Sequence, residues 1–216
     1  HVYHDIPLAA LVDALLARVP EPGRYRRVGS QARSGMPFEA DDLALCAADL
    51  APALNACFAR HGTPPIASDI GDCLFAAMEL KPAPLVAPGY YASMGFGVPA
   101  GIGVQATSGE RPLILVGDGA FQMSGWELGN CRRYGLDPIV IVLNNQSWEM
   151  IRAFQPESRC ADLGDWRYAE LAETLGGHGQ RVRTRAELAA ALDTAFTRRG
   201  RFELIELLLP PGDCTP

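Results

Sequence analysis

No apolar run in the 216 residues approaches the roughly 20 needed to cross a membrane. No signal-peptide pattern opens the chain. The six cysteines (46, 57, 73, 131, 160 and 214) form no CxxC pair and have no histidine-rich ligand spacing. They read as reduced thiols of a cytoplasmic protein, some of them core fillers. Basic residues give no excess: 19 Lys and Arg against 25 Asp and Glu leave a net charge of −6. That balance argues against nucleic acid or an anionic membrane as partner. Internal repeats and low-complexity tracts are also missing. What remains is 48% hydrophobic and 20% charged, an ordinary globular composition that supports one large domain or a domain with an appendage.

The most informative segment runs PLILVGDGAFQMSGWELGNCRRYGLDPIVIVLNNQSWEM, residues 112–150. An apolar strand ends in Gly117-Asp118-Gly119. A helix follows, then a second apolar strand ends in Asn144-Asn145. Both polar tips therefore lie at the carboxyl ends of parallel strands, where open α/β sheets bind ligands. A carboxylate and an amide oxygen suit a hard cation such as Mg²⁺, which usually takes substrate phosphates as well. Gly117 and Gly119 allow backbone N–H groups to approach a phosphate closely.

Around this unit the pattern alternates helix and strand. Helices are expected over 52–61 (with Asp49 as N-cap), 72–80, 93–107, 165–175 and 185–198. Thr184 and Glu187 form a capping box for the last of these. Strands are expected over 65–68, 85–87, 113–116, 139–143, around Val182, and over 202–209. The alternation predicts an α/β fold: an open parallel sheet with helices on both faces. Near the amino end, Leu8, Leu11, Val12, Leu15, Leu16 and Val19 make one helical face. A Pro-, Gly-, Ser- and Arg-rich stretch over 20–37 then reads as a linker. The linker arginines (24, 26, 27 and 33) read as solvated, with anion binding as the lesser alternative. His61 and His178 fall in loop-like segments and read as surface residues.

A rival motif overlaps this frame. Gly95-Phe96-Gly97-Val98-Pro99-Ala100 fits G-x-G-x-x-A, with Asp118 about twenty residues on. However, 88–91 (PGYY) stands where that fingerprint needs a strand, and Asn144-Asn145 is left unexplained. Close packing of a helix on the sheet or on a second subunit accounts for these glycines.

The GDG and NN pair, separated by the 24 residues 120–143, resembles the thiamine diphosphate motif. From about residue 65 to 209 the chain resembles the diphosphate-binding domain of thiamine diphosphate-dependent 2-oxo-acid decarboxylases. The WELGNCRR and NNQSWEM wording is similar to the phenylpyruvate and indolepyruvate group. The resemblance implies that 38–216 is the diphosphate and Mg²⁺ domain. It implies that 1–22 is the end of the family's middle domain, that 23–37 is a linker, and that a pyrimidine-binding domain is missing. The implied whole is a homodimer or homotetramer that converts an aromatic 2-oxo acid to an aldehyde and CO₂.

Position by position, the resemblance implies that Asp118, the Asn145 side-chain oxygen and the Ser147 carbonyl hold Mg²⁺. Gly117, Gly119 and Ala120 would cradle the diphosphate. Asp72 would meet the aminopyrimidine, with the Ala92 carbonyl and the Met94 N–H nearby. The Met94 side chain would wedge between the two cofactor rings, although from the residues alone Met94 reads as a core methionine.

Related pyruvate decarboxylases carry a catalytic glutamate six residues after the second Asn, where this chain has Ile151. Glu149, about 200° away around a helix, does not take its place, so no catalytic residue is assigned here. An apolar residue at 151 suits a larger aromatic substrate. Trp148, Ile151 and Phe154 would line the substrate side, with ordinary packing an equal reading of Trp148 and Phe154. The alternative of another class is a non-catalytic cofactor-binding fragment. A further alternative is half of a split enzyme, acetolactate synthase-like or a different lyase.

Overall fold

The computed structural model describes residues 7–18 and 37–213. Val19, the four linker arginines and Cys214 lie outside the described residues. The chain divides into two units, 1–31 and 32–216.

The first unit contributes α1 (Leu8–Leu16). Leu11, Val12, Leu15 and Leu16 are all exposed on it.

The second unit is built on six parallel strands: β1 (Ile66–Ser68), β2 (Leu85–Val86), β3 (Leu113–Gly117), β4 (Ile139–Asn144), β5 (His178–Val182) and β6 (Glu203–Leu208), in the order β2-β1-β3-β4-β6-β5. The open parallel sheet read from the sequence is the fold observed. β3 and β4 are continuous apolar runs because both faces are covered. One face packs Leu113, Leu115, Ile139, Ile141 and Leu207 against α2 (Leu50–His61), α3 (Asp72–Met78) and α9 (Arg185–Thr197). The other packs Ile114, Val116, Val140, Val142 and Leu204 against α4 (Gly97–Ser108), α5 (Asp118–Ser124), the 3-10 turn at Gly125–Asn130, α6 (Cys131–Tyr134) and α8 (Tyr168–Thr174). A further helix, α7 (Glu149–Phe154), follows β4. Among the described residues no helix is long and apolar enough to cross a membrane.

Thr184 caps α9 as the sequence indicates. Its hydroxyl accepts from Glu187 N–H at 3.3 Å, and Glu187 Oε2 accepts from Thr184 N–H at 3.2 Å. Four local expectations are corrected. Asp49 does not cap α2. It closes the 3-10 turn Ala47–Asp49, where its Oδ2 accepts from Cys46 N–H at 2.9 Å and its Oδ1 lies 3.0 Å from Arg185 Nε. The helix expected from 93 begins at Gly97, because Gly95 has φ +79°, outside right-handed helix, and the Asp69 carboxylate takes the N–H groups of Gly95 and Gly97 at 3.1 and 2.8 Å. The helix expected from 165 begins at Tyr168, since Asp165 is drawn into an ion pair with Arg181. His178 opens β5 and His61 ends α2, so neither lies in a loop.

The glycines of the rival motif are packing residues. A Cβ on Gly97 would lie 2.9 Å from Asp69 N and one on Gly95 3.0 Å from Met123 Cβ; just beyond the motif, one on Gly101 would lie 2.3 Å from Ile114 Cγ1. They let α4 settle onto the sheet, and no strand precedes Gly95 after β2 ends at Val86.

Candidate functional site

The register of the sheet builds the site. Gly117 at the end of β3 pairs with Leu143 of β4. Asp118 and the Asn144-Asn145 pair therefore leave the sheet side by side at its carboxyl edge. β1 ends at the same edge, with Ser68 beside Leu115. The three tips open into a cavity of about 310 Å³.

Each residue that the resemblance assigns to the cofactor, metal or substrate side lies on this cavity: Asp72, Ala92, Met94, Gly117, Asp118, Gly119, Ala120, Asn145, Ser147, Trp148, Ile151 and Phe154. Asp72 opens α3, and Asp118, Gly119 and Ala120 open α5. Trp148 precedes α7, which carries Ile151 and Phe154. Sequence reasoning missed Asp69, Gly71, Phe75 and Met150, which also line it. The one signal for Asp69 was its place at the tip of a third parallel strand.

Asp118 is the electrostatic centre. It is 3% exposed. Its Oδ1 accepts from Gly119 N–H at 2.8 Å and its Oδ2 from Ser147 N–H at 3.2 Å. Burial pushes its carboxyl up to about 6, against the lowering effect of the N–H groups of Gly119, Gln146, Ser147 and Asn145. Among the described residues no cationic side chain pairs with it. A buried carboxylate held by backbone N–H groups and facing no counter-charge fits a hard divalent cation. The Asn145 oxygen is close at hand, accepting from Ser147 N–H at 3.2 Å, while its Nδ2 donates to the Asp213 carbonyl at 3.1 Å.

The surrounding backbone is held under constraint. Ala92 and Gln146 are the two non-glycine residues with positive φ among the described residues, at 56° and 63°. Both belong to segments that border the cavity or its polar tips, where such strain is commonly stored. Gly119 has no room for a side chain, since its Cβ would lie 2.6 Å from the Trp148 ring. The buried Tyr168 steadies the start of α5, donating from its hydroxyl to the Asp118 carbonyl at 3.2 Å.

The remaining wall is apolar: Phe75, Met94, Trp148, Met150, Ile151 and Phe154. Glu149 borders the cavity, but its Oε2 is turned toward Arg152 Nε at 3.4 Å. His61 and His178 do not line it. Cys57, His61 and Asp193, the one group of three potential metal ligands among the described residues, sit elsewhere, on α2 and α9. There Asp193 Oδ1 is already held by Arg60 at 2.7 Å and His61 at 2.8 Å.

Residues 69–207 match the family described as thiamine pyrophosphate enzyme, C-terminal TPP binding domain. The chain belongs to the thiamine pyrophosphate enzymes. The match spans the carboxyl edge of the sheet from the Asp69 tip to β6, so the cavity lies within the TPP-binding domain. Over 215 residues the chain is 59% identical to an indole-3-pyruvate decarboxylase of Azospirillum brasilense, covering 98% of this chain and 39% of that protein. It is 36% identical over 125 residues to an alpha-keto-acid decarboxylase of Mycobacterium bovis, covering 56% of this chain and 22% of that protein. Its fold matches the thiamine diphosphate-dependent 4-hydroxybenzoylformate decarboxylase of Rhodococcus jostii RHA1 with a TM-score of 0.71 at 23% identity, over 82% of this chain and 35% of that one. The chain thus spans about two-fifths of the length of the first of these relatives.

Proposed function

We propose that the protein containing this TPP-binding domain is a Mg²⁺-dependent carboxy-lyase that converts an aromatic 2-oxo acid, phenylpyruvate or indole-3-pyruvate, to its aldehyde and CO₂. The observation that carries this reading is the pairing of Asp118, a buried carboxylate with no cationic partner among the described residues, with the apolar side chains of Phe75, Met94, Trp148, Met150, Ile151 and Phe154 in a single cavity. The 59% identity to an indole-3-pyruvate decarboxylase supports the substrate class.

In this reading Asp118, the Asn145 oxygen and the Ser147 carbonyl hold Mg²⁺. Gly117, Gly119 and Ala120 cradle the diphosphate, with the Gly119 N–H shared with Asp118 Oδ1. Asp72, the Ala92 carbonyl and Met94 meet the pyrimidine side. Bound thiamine diphosphate supplies the nucleophile and electron sink for decarboxylation. The chain's own residues orient the substrate and exclude water. Trp148, Ile151 and Phe154, joined by Phe75 and Met150, form an apolar seat for the aryl group. Each buried methylene-sized group there is worth about 0.8 kcal/mol, so several kcal/mol separate phenylpyruvate from pyruvate. The reaction balances as one CO₂ lost and one proton gained at the same carbon. No carboxylate stands at 151, so the proton donor lies outside this wall.

Tyr90 and Tyr91, 99% and 85% exposed beside the cavity-lining Ala92, offer a surface for the pyrimidine-binding domain and a second subunit. The exposed apolar stripe of α1 supports the view that 1–22 ends a preceding middle domain, with 23–37 as linker and 38–216 as the TPP domain. The free thiols at 46, 57, 73, 131 and 160 support a cytoplasmic setting. The test is kcat/KM for phenylpyruvate, indole-3-pyruvate and pyruvate with the full-length protein. An arylpyruvate should exceed pyruvate by tenfold or more; a preference for pyruvate would refute the substrate assignment.

A further inference from the structure

Glu206 lies on β6 at the carboxyl end of the sheet and is fully buried. A carboxylate in such a place needs donors on both oxygens. Glu206 has them: Oε1 accepts from Asn144 Nδ2 at 2.6 Å and from Arg181 Nε at 3.2 Å, and Oε2 accepts from Ala169 N–H at 3.0 Å.

The Asn144 amide turns its NH₂ toward Glu206, which fixes the direction of its oxygen. That oxygen accepts from Gln146 N–H at 3.2 Å, closing an Asx turn. Within this turn Gln146 has φ 63°, a left-handed conformation that a non-glycine side chain adopts only under constraint. The next residue, Ser147, then directs its N–H to both Asp118 Oδ2 and Asn145 Oδ1. The first asparagine of the NN pair thus contacts the cavity through other residues. It does not line it.

We propose that Glu206 is a positioning residue of the cation site, acting through the Asn144 amide to set the Gln146 turn that presents Asn145 and Ser147 beside Asp118. The inference rests on the reading of Asp118, Asn145 and Ser147 as Mg²⁺ ligands. A buried partner that orients a ligand-bearing loop typically contributes 10- to 100-fold in metal affinity when it is replaced. Glu206→Gln keeps the volume but replaces one acceptor oxygen by an NH₂, so the donors on that side, Asn144 with Arg181 or else Ala169 N–H, lose their acceptor. Asn144→Ser keeps an oxygen for Gln146 N–H and removes the Nδ2 bonds to Glu206 at 2.6 Å and to the Trp166 carbonyl at 3.4 Å.

The test is a calorimetric titration of Mg²⁺ into the full-length protein with thiamine diphosphate present, beside thermal melts of the metal-free proteins. Glu203→Gln is the control, because Glu203 is also buried, at the opposite end of β6, and pairs with Arg198 at 3.4 Å away from the cavity. All three variants should melt lower than wild type. Only Glu206→Gln and Asn144→Ser should weaken Mg²⁺ binding, by tenfold or more. If Glu206→Gln does not fold, Asn144→Ser alone must show that loss. Wild-type Mg²⁺ affinity in a folded Glu206→Gln or Asn144→Ser protein would overturn the inference. Absence of Mg²⁺ binding by the wild-type protein would instead overturn the cation-site reading beneath it.

Discussion

Ser147 N–H lies 3.2 Å from Asp118 Oδ2. This contact ties the loop after β4 to the tip of β3, across 29 residues of chain, and brings the two halves of the GDG and NN pair into one site. A motif that is only a spacing in the sequence is a hydrogen bond in the fold.

The Asp118 carboxyl gives a pH signature to the metal-free protein. Its folded value, raised by burial to about 6, stands above the ordinary value near 4. A raised folded value contributes stability that is fully present below the unfolded value and is lost as pH rises through the folded one. About two pH units of difference correspond to about 3 kcal/mol. Metal-free protein should therefore lose stability between about pH 4 and 6 through this group. Asp118→Asn should flatten that part of the profile and melt higher than wild type at pH 8. Denaturant melts across pH decide it, and an unchanged slope in the variant would contradict the assignment.

Gly101, just beyond the rival glycine motif, tests the close packing of α4 on the sheet. Gly101→Ala places a methyl 2.3 Å from Ile114 Cγ1, inside the core where α4 meets the sheet. Overpacking of this kind costs about 1–3 kcal/mol. The variant should melt several degrees lower without gaining or losing any affinity for NADH, which should be negligible in both proteins. Measurable NADH binding by the wild type, lost in the variant, would revive the dinucleotide reading.

Much of this fold was legible because its strands are extreme. LILV and IVIVL are buried on both faces, so nothing but a covered parallel sheet accommodates them, and their polar ends mark the ligand edge. The cavity followed from the same two tips, which drew α5 and α7 along with them. The unread parts depend on partners far away in the chain. Asp69 clamps Gly95 and Gly97 from 26 and 28 residues away, and that clamp moves the start of α4. Glu206 reaches Asn144 across 62 residues. In the sequence a charged residue inside FELIELLL suggests only an interruption. Asp49 looked like a cap because it precedes a helix, yet Cys46 and Arg185 decide its role. Local pattern fixes elements, and long-range polar contacts fix where they begin.

The isolated 216-residue chain provides another check. Its carboxylates on the cavity are Asp69, Asp72, Asp118 and Glu149. Asp69 is engaged with backbone N–H groups and Glu149 with Arg152. In the proposed reading Asp118 holds the metal and Asp72 faces the amino group, so none is left to activate the pyrimidine from the opposite side. The chain should leave exchange of the cofactor's C2 proton at the rate of free thiamine diphosphate. It should also self-associate through the exposed Tyr90 and Tyr91 surface. Deuterium exchange followed by NMR, with light scattering on the same sample, measures both. Acceleration by orders of magnitude would place the activating carboxylate within these residues.

The most direct measurement is a paired calorimetric titration of thiamine diphosphate, with and without Mg²⁺, into the full-length wild-type protein and its Asp118→Ala variant. Asp118 is the one anionic protein ligand in the proposed set, so the amide and carbonyl oxygens alone should hold Mg²⁺ poorly. The expected result is Mg²⁺-dependent cofactor binding in the wild type, with that dependence abolished in the variant. Equal, Mg²⁺-dependent affinity in both proteins would contradict the assignment of this cavity.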